Sequence, residues 1–265
     1  VGTMNIELRD GADLQIEQGA AGVASADLVI DTLVMSGGTV DIVADGNVII
    51  NSVTGILGQL NITSTGGNVW VRSMADGGDV RIEATGAVVL GSRAAASGPA
   101  DTTIEADTLS VKAGAEITVF EADGVDINQI WSTSQSPITV LAGGDLALNA
   151  DISTSGHAID LRTSVGALTL NGVLSTGGGS VSLQAASGVT LTELSGVTTQ
   201  GGTVVVDAGD AALLMAKFAV IDASGGALHL AAGGLMTLGT VKTSYAGVVN
   251  IAAGGLVGQA ASDVD

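Results

Sequence analysis

Cysteine is absent from this chain, so no disulfide bond can cross-link it. That absence fits an exported protein that folds without disulfides, and it equally fits a cytosolic protein. Proline occurs twice, and aromatic residues make up only 2% of the sequence. Large aromatic side chains dominate most globular cores. A core without them must be filled by small and branched aliphatic side chains stacked in rows.

Basic residues are also scarce, with 8 Lys and Arg against 27 Asp and Glu and a formal net charge of −19. This balance disfavours binding to nucleic acid or to an anionic membrane surface, and we expect neither partner. Long apolar runs are missing as well. The run at residues 211–221 is interrupted by Lys217 and is too short to span a bilayer, so we expect no membrane insertion.

Glycine is abundant, with 40 residues, and it recurs at fixed positions of a sequence repeat. Each repeat has an apolar pair two positions apart, a small residue, a glycine, a second apolar pair, a looser third apolar position, and often Gly-Gly. The first pairs are Val40/Ile42, Leu60/Ile62, Val80/Ile82, Leu109/Val111, Ile138/Val140, Ile159/Leu161, Val181/Leu183, Val204/Val206, Leu228/Leu230 and Val249/Ile251. The third positions are Val53, Met74, Ile152, Val173, Leu194 and Val241.

Short alternating segments bounded by glycine and small polar residues are typical of short strands joined by tight corners. Such strands bury a continuous core only when each coil stacks on the next. The sequence therefore predicts an all-β parallel β-solenoid of about ten to eleven coils of 20–24 residues.

Two coils are longer, and we expect insertions on the third edge at residues 91–107 and 121–137, the second containing Trp131. Such insertions often bind a partner, although they can also be merely tolerated. Residues 37–265 form the repeat. Residues 1–36 are expected to be an irregular amino-terminal coil or the continuation of a longer chain.

If the paired residues face inward, the residues between them form outward rows. One such row begins with Ile49, Trp70 and Val89, and Phe120 points the same way from the adjacent row. An exposed apolar row is often a contact surface, so these four residues are a candidate lateral contact for a neighbouring chain or a receptor. The alternative is that the long coils fold over the row.

No catalytic or metal-binding constellation stands out. The acidic turns at Asp76 and Asp79 and at Asp123 and Asp126 offer oxygen ligands for calcium, but the glycine-rich nonapeptide of calcium-binding β-rolls is absent. We therefore expect no cofactor and keep calcium as the alternative.

Asp160, Arg162 and His157 are the best enzymatic candidates. A surface ion pair explains Asp160 and Arg162 more simply, so we expect a protein that is not an enzyme.

The repeat motif is GGxØxØxAxGxØxØ, where Ø is apolar. Its examples are GGTVDIVADGNVII, GGTVVVDAGDAALL and GGALHLAAGGLMTL. This motif resembles the repeat shafts of large bacterial exoproteins, namely filamentous-haemagglutinin-like adhesins and β-strand-repeat surface proteins. The resemblance covers roughly residues 37–258. It implies a right-handed parallel β-helix that is exported and used in attachment, aggregation or biofilm formation.

The function expected on these grounds is that of a structural segment of a secreted or surface-exposed bacterial adhesin or filament. Two alternatives are a subunit of a surface layer or sheath, and a β-helix that binds or cleaves polysaccharide. The expected partners are further copies or the neighbouring coils of a longer chain, with a host or cell-surface receptor or a glycan as alternatives. The expected location is extracellular or the bacterial cell surface.

Overall fold

The structure is a computed structural model. It describes residues 3–9, 11–19, 27–55, 58–75, 77–91, 104–244 and 247–260. These residues form strands and no helix. No segment in these ranges is a helix long and apolar enough to cross a membrane.

Short parallel strands recur along the described chain. In chain order they are β1 (Thr3–Glu7), β2 (Leu14–Gln18), β3 (Leu28–Val34), β4 (Thr39–Ala44), β5 (Val48–Thr54), β6 (Gln59–Ser64), β7 (Val69–Val71), β8 (Asp79–Ala84), β9 (Val88–Leu90), β10 (Thr108–Ala113), β11 (Ile117–Glu121), β12 (Val125–Ser132), β13 (Ile138–Ala142), β14 (Leu146–Leu148), β15 (Ile152–Thr154), β16 (Ile159–Thr163), β17 (Leu168–Leu170), β18 (Val173–Thr176), β19 (Val181–Gln184), β20 (Val189–Leu191), β21 (Gly196–Thr198), β22 (Val204–Asp207), β23 (Leu213–Met215), β24 (Val220–Asp222), β25 (Leu228–Ala232), β26 (Met236–Leu238), β27 (Thr240–Lys242), β28 (Val249–Ala253) and β29 (Val257–Gln259).

The chain divides into two compact units. The first comprises Val1–Val125 and Gln129–Ser134, and the second comprises Asp126–Asn128 and Gln135–Asp265. In the first unit, β1, β3, β5, β7, β9 and β11 lie in that order in one sheet, and β2, β4, β6, β8 and β10 lie in the other. Each strand thus pairs with the strand one coil away in the sequence, as a solenoid requires.

The second unit has three sheets. Strands β13, β16, β19, β22, β25 and β28 form one, and β14, β17, β20, β23, β26 and β29 form another. A third sheet contains β15, β18, β21, β24 and β27 in that order. All described strand pairs in both units are parallel. The predicted fold class is confirmed: the chain is a parallel β-solenoid of about ten turns, the architecture of a right-handed parallel β-helix.

The core consists of the alternate apolar residues of the two main strands in each coil. Val40 and Ile42 in the first unit, and Ile159 and Leu161 in the second, are at most 1% exposed. Their partners one coil away are equally apolar, so each row of the core is a ladder of Val, Ile and Leu. Burial of these rows supplies the main stabilising free energy, at about 25 cal/mol per Å² of apolar surface.

Glycine is required at the corners because successive coils approach each other closely. A Cβ atom on Gly202 would overlap the carbonyl oxygen of Gly179, and one on Gly226 would overlap that of Gly202. The neighbouring corners also carry buried threonines. The hydroxyl of Thr199, for example, donates a hydrogen bond to the carbonyl of Gly202 at 2.6 Å. The glycines and the hydroxyls of Thr154, Thr176 and Thr199 together fix the bend after β15, β18 and β21.

The third edge differs in detail from the expectation. Of the third apolar positions, Val53, Met74 and Ile152 are at most 3% exposed, whereas Val173 and Leu194 are 37% and 84% exposed. The residues that fill the core there are Leu174 and Val197, both fully buried and paired in register between β18 and β21. Side chains alternate along a strand, so the shift of one residue from Val173 to Leu174 moves the side chain from the outer face to the core.

The second long coil also differs from the expectation. Residues 121–137 were expected to form an insertion, but eight of them form β12. Val125, Ile127 and Ile130 face inward and are buried, which ties this segment to the core. Most of the first expected insertion, at residues 92–103, lies outside the described residues.

Candidate functional site

The candidate lateral contact forms a continuous row on the first unit, which we call the apolar stripe. Ile49 of β5 pairs with Trp70 of β7, and Trp70 pairs with Val89 of β9. All three side chains are partly exposed on the outer face of the sheet, while the residues on either side of each are buried. Parallel pairing therefore stacks the three side chains directly above one another.

Phe120, the fourth member of the apolar stripe, lies on β11. Thr118, two residues before Phe120, pairs with Val89 and continues the row, so Phe120 lies two residues further along β11 on the same outer face, where it too is partly exposed. Val29 of β3 pairs with Ile49 and extends the row by one strand. The sequence analysis missed Val29 because it lies in the irregular first 36 residues. Leu28 and Ile30 on either side of Val29 are buried, but all three residues are apolar, so the sequence does not mark Val29 as the outward one.

The other sheet of the first unit presents a second outward surface, which is polar. Asp41, Asn61, Arg81 and Ser110 stand in register on β4, β6, β8 and β10. The Asn61 amide donates to the Asp41 carboxylate at 2.7 Å. Asp41, Gln59, Asn61, Thr63, Arg81 and Glu83 line a depression on this sheet.

Glu83 forms ion pairs with both basic side chains of this surface. One carboxylate oxygen of Glu83 lies 2.8 Å from Arg81, and the other lies 3.7 Å from the Lys112 ammonium. The hydrogen bond from Arg81 is the largest influence on the Glu83 carboxyl, and it lowers the pKa of that group. The Lys112 ammonium in turn lies 5.7 Å from the ring centre of Trp131, within the range of a cation–π contact.

Trp131 is 48% exposed, the largest exposure of any aromatic side chain described in the first unit. It lies beside β10, because the amide of Thr133 donates to the carbonyl of Ala113 at 2.7 Å. We call Asp41, Asn61, Arg81, Glu83, Lys112 and Trp131 the polar face. The sequence analysis placed Trp131 in an insertion and did not join it to Lys112.

The enzymatic candidates of the second unit form a simple surface pair. Arg162 donates to Asp160 at 2.7 Å, and this hydrogen bond raises the pKa of the arginine. His157 is exposed, and its backbone carbonyl accepts a hydrogen bond from Thr154 at 2.6 Å.

The other histidine, His229, lies 3.1 Å from the amide of Asn250, measured from its Nδ1 atom. Neither histidine belongs to a described group of acid–base residues that would activate a nucleophile.

The acidic turns are only partly described. Asp76 lies outside the described residues, and Asp79 accepts a hydrogen bond from the Thr108 hydroxyl at 2.6 Å. Asp123 is in the first unit and Asp126 in the second, and both are exposed. In the part of the chain that the structure covers, no three His, Cys, Asp or Glu side chains approach one another as metal ligands do.

Glu121 is a buried carboxyl group that the sequence analysis overlooked. It is 3% exposed at the end of β11, and one of its oxygens accepts a hydrogen bond from the backbone amide of Ala106 at 3.1 Å. Burial raises its pKa to about 9, and the nearby carboxylate of Asp123 adds to the rise. Alternation along β11 predicts an inward position for Glu121, so the sequence carried the signal.

No known family model, curated protein or solved structure matches the chain. Its function is therefore argued from the fold and from the two surfaces of the first unit.

Proposed function

We propose that the chain is a structural segment of a secreted or surface-exposed bacterial adhesin or filament, with a mechanical role in attachment, aggregation or biofilm formation and no catalytic activity of its own. The observation that carries this proposal is the pairing of each coil with the next. In the second unit, β16 pairs with β19 in register, β19 with β22, and β22 with β25.

This pairing suits a load-bearing element. Each coil is joined to its neighbours by backbone hydrogen bonds in two or three sheets and by continuous apolar ladders. In a repeat of this kind stability is a sum of nearest-neighbour terms, so a segment keeps its structure as coils are added. A net charge of −19 opposes collapse of neighbouring molecules onto one another.

Electron microscopy of cells that produce the native full-length protein, immunolabelled for this segment, tests the proposal. We expect the label outside the cell, on fibres or on single projections. Label confined to the cytoplasm would contradict the proposal. A parallel sample treated with a calcium chelator tests the acidic turns separately, since loss of the fibres only with chelator would indicate a structural role for calcium.

A second candidate function is that of a subunit in a surface layer or sheath, with the apolar stripe as the lateral contact. The register of Ile49, Trp70 and Val89 favours it, because three apolar side chains in a row form a surface that a second molecule can cover. The occupant in this proposal is a second copy of the chain.

The substitution Trp70→Asp tests this candidate. It puts a charge in the middle of the apolar stripe, and we expect it to abolish assembly into a layer while leaving the circular dichroism spectrum unchanged. Phe218→Asp is the matched control, because Phe218 is a 60% exposed aromatic residue of the second unit and is not a member of the apolar stripe. Normal layers formed by the Trp70→Asp protein would contradict the assignment of the apolar stripe as the lateral contact.

A further inference from the structure

Trp131 combines a half-exposed indole with a contact to a lysine side chain. The sequence has only two tryptophans, and this one leaves about half of its surface in contact with solvent, at 48% exposure. The Lys112 ammonium lies over the indole, 5.7 Å from the ring centre. Lys112 also lies 3.7 Å from Glu83, which lines the depression on β4, β6 and β8, so Lys112 links the indole to that depression.

We propose that the polar face of the first unit is a binding site for an uncharged oligosaccharide. Trp131 would stack against the apolar C–H face of one sugar ring, since an indole offers a large, rigid apolar surface at low conformational cost. Asp41, Asn61, Arg81 and Glu83 would bond the hydroxyl groups of the sugars that follow. This inference needs only the fold of the first unit and does not depend on the mechanical role proposed above.

The side chains of the depression suit sugar hydroxyls. A hydroxyl group both donates and accepts a hydrogen bond, and the depression offers both kinds of partner on planar side chains. Arg81 is a donor, Asp41 and Glu83 are acceptors, and Asn61 and Gln59 are both. The existing hydrogen bonds from Asn61 to Asp41 and from Arg81 to Glu83 hold these groups in place before a ligand arrives.

The charge of the polar face argues for an uncharged ligand. The two carboxylates of Asp41 and Glu83 and the two cations of Arg81 and Lys112 cancel, so the face itself carries no formal net charge. The whole chain carries −19, which repels a polyanion as it approaches. An anionic polysaccharide would find two cations here, but Glu83 neutralises both, since its carboxylate lies 2.8 Å from Arg81 and 3.7 Å from Lys112.

Phe218 supplies a natural comparison within the same chain. It is 60% exposed, and the Lys217 ammonium lies 5.0 Å from its ring centre, so it repeats the pairing of an aromatic ring with a lysine. Phe218 lies in a turn between β23 and β24, while Trp131 lies on a strand beside a row of planar polar side chains. Removing Phe218 should therefore leave sugar binding unchanged.

Affinity electrophoresis in native gels tests the proposal, with laminarin, galactomannan or hydroxyethylcellulose in the gel as uncharged probes and polygalacturonate as the anionic probe. We expect at least one uncharged polymer to retard the protein and polygalacturonate to have no effect. Trp131→Ala should weaken the binding about fivefold or more, as loss of a central aromatic contact does. Phe218→Ala should bind like the unchanged protein.

Asn61→Ala is a second variant that removes a partner from the depression without touching the indole, and it should also weaken retardation. In a Trp70→Phe background, Trp131 is the only tryptophan left, and the same polymer should shift its fluorescence emission.

Three results would each overturn the proposal. These are no retardation by any of the uncharged polymers, retardation by polygalacturonate alone, and equal retardation of the unchanged and Trp131→Ala proteins.

Discussion

Gly202 shows how closely the coils approach each other at a corner. Its Cα faces the backbone of the coil before it, and a Cβ atom there would overlap the carbonyl of Gly179. Gly202→Ala should therefore lower the free energy of unfolding by roughly 3 kcal/mol, since the obstructing atoms belong to the backbone and cannot rotate away.

Thermal melting followed by circular dichroism measures this effect. Gly258→Ala is the matched control, because a Cβ atom on Gly258 meets no other atom within 4 Å. Equal melting temperatures for the two variants would show that the corners can open to admit a side chain.

Glu121 makes stability depend on pH in a defined direction. Its folded pKa of about 9 lies above the usual value of 4.5, so the folded protein keeps a proton that the unfolded chain has released. Between these two values the free energy of unfolding falls as pH rises, and at pH 7 the accumulated loss is roughly 3 kcal/mol. Below pH 4.5 both states hold the proton and the loss disappears.

Glu121→Gln removes this dependence and keeps an oxygen that can accept the hydrogen bond from Ala106. We expect the variant to match the original protein near pH 4 and to melt at a higher temperature at pH 8. Glu116→Gln, at an exposed position, controls for the loss of one carboxyl group. A difference between Glu121→Gln and the original protein that stayed constant with pH would contradict the assignment.

At the scale of elements, side-chain amides join one coil to the next at the corners. Asn68 donates to Asn47 at 3.1 Å, and its own oxygen accepts the backbone amide of Ala87 at 2.7 Å. Asn68→Ala should cost about 1–2 kcal/mol in the free energy of unfolding, because it leaves the Ala87 amide without its partner.

Urea denaturation followed by tryptophan fluorescence reports on this change, since both tryptophans belong to the first unit. Asn51→Ala is the control, because the Asn51 side chain donates a hydrogen bond to the Asp31 carboxylate and, unlike Asn68, accepts none from a described backbone amide. We expect the control to shift the midpoint less than half as far. A larger midpoint shift for Asn51→Ala than for Asn68→Ala would mean that water replaces the Asn68 side chain at the corner.

The sequence predicted the elements well wherever two signals agreed. Strands such as β4, β16 and β25 were predicted correctly because alternation and a following glycine corner mark the same residues. On the third edge Ile152 of β15 is buried as a core residue, but the prediction at β18 was one residue out of phase, since this strand has four residues and Val173 and Leu174 are equally apolar. A run that short does not define its own face.

Parts of the surfaces were predictable for the same reason. Parallel register placed Ile49, Trp70 and Val89 in one row, as the sequence indicated. The contact between Lys112 and Trp131 was not predictable, because it requires β12 to be a strand at the place where an insertion was expected. Val125 and Ile127 have the two-residue spacing of the other strand pairs, so a signal for β12 was present, but not for the register that brings Trp131 to Lys112.

At the scale of the whole molecule, stability should vary along the chain. In the second unit, Leu228 and Leu230 of β25 are at most 1% exposed, while Val249 and Ile251 of β28, their partners in the same ladders, are 43% and 44% exposed. Local opening follows the number of buried contacts, so β28 and β29 should open most easily.

Hydrogen exchange followed by mass spectrometry measures this gradient. We expect peptides from β28 and β29 to exchange at least tenfold faster than peptides from β19 and β22. Uniform protection across the second unit would indicate that these strands open together with the strands before them, as one cooperative element.

The side-chain ladders described above have a consequence for how the chain acquires its structure. Asn61 meets Asp41 across 20 residues, Asn171 meets Asn149 across 22, and Thr108 meets Asp79 across 29, so these contacts close loops of 20 to 29 residues. Because the entropic cost of closing a loop grows only slowly with its length, each added coil costs about the same conformational entropy as the one before it. Folding can therefore advance one coil at a time along the emerging polypeptide, with the last completed coil serving as the template for the next.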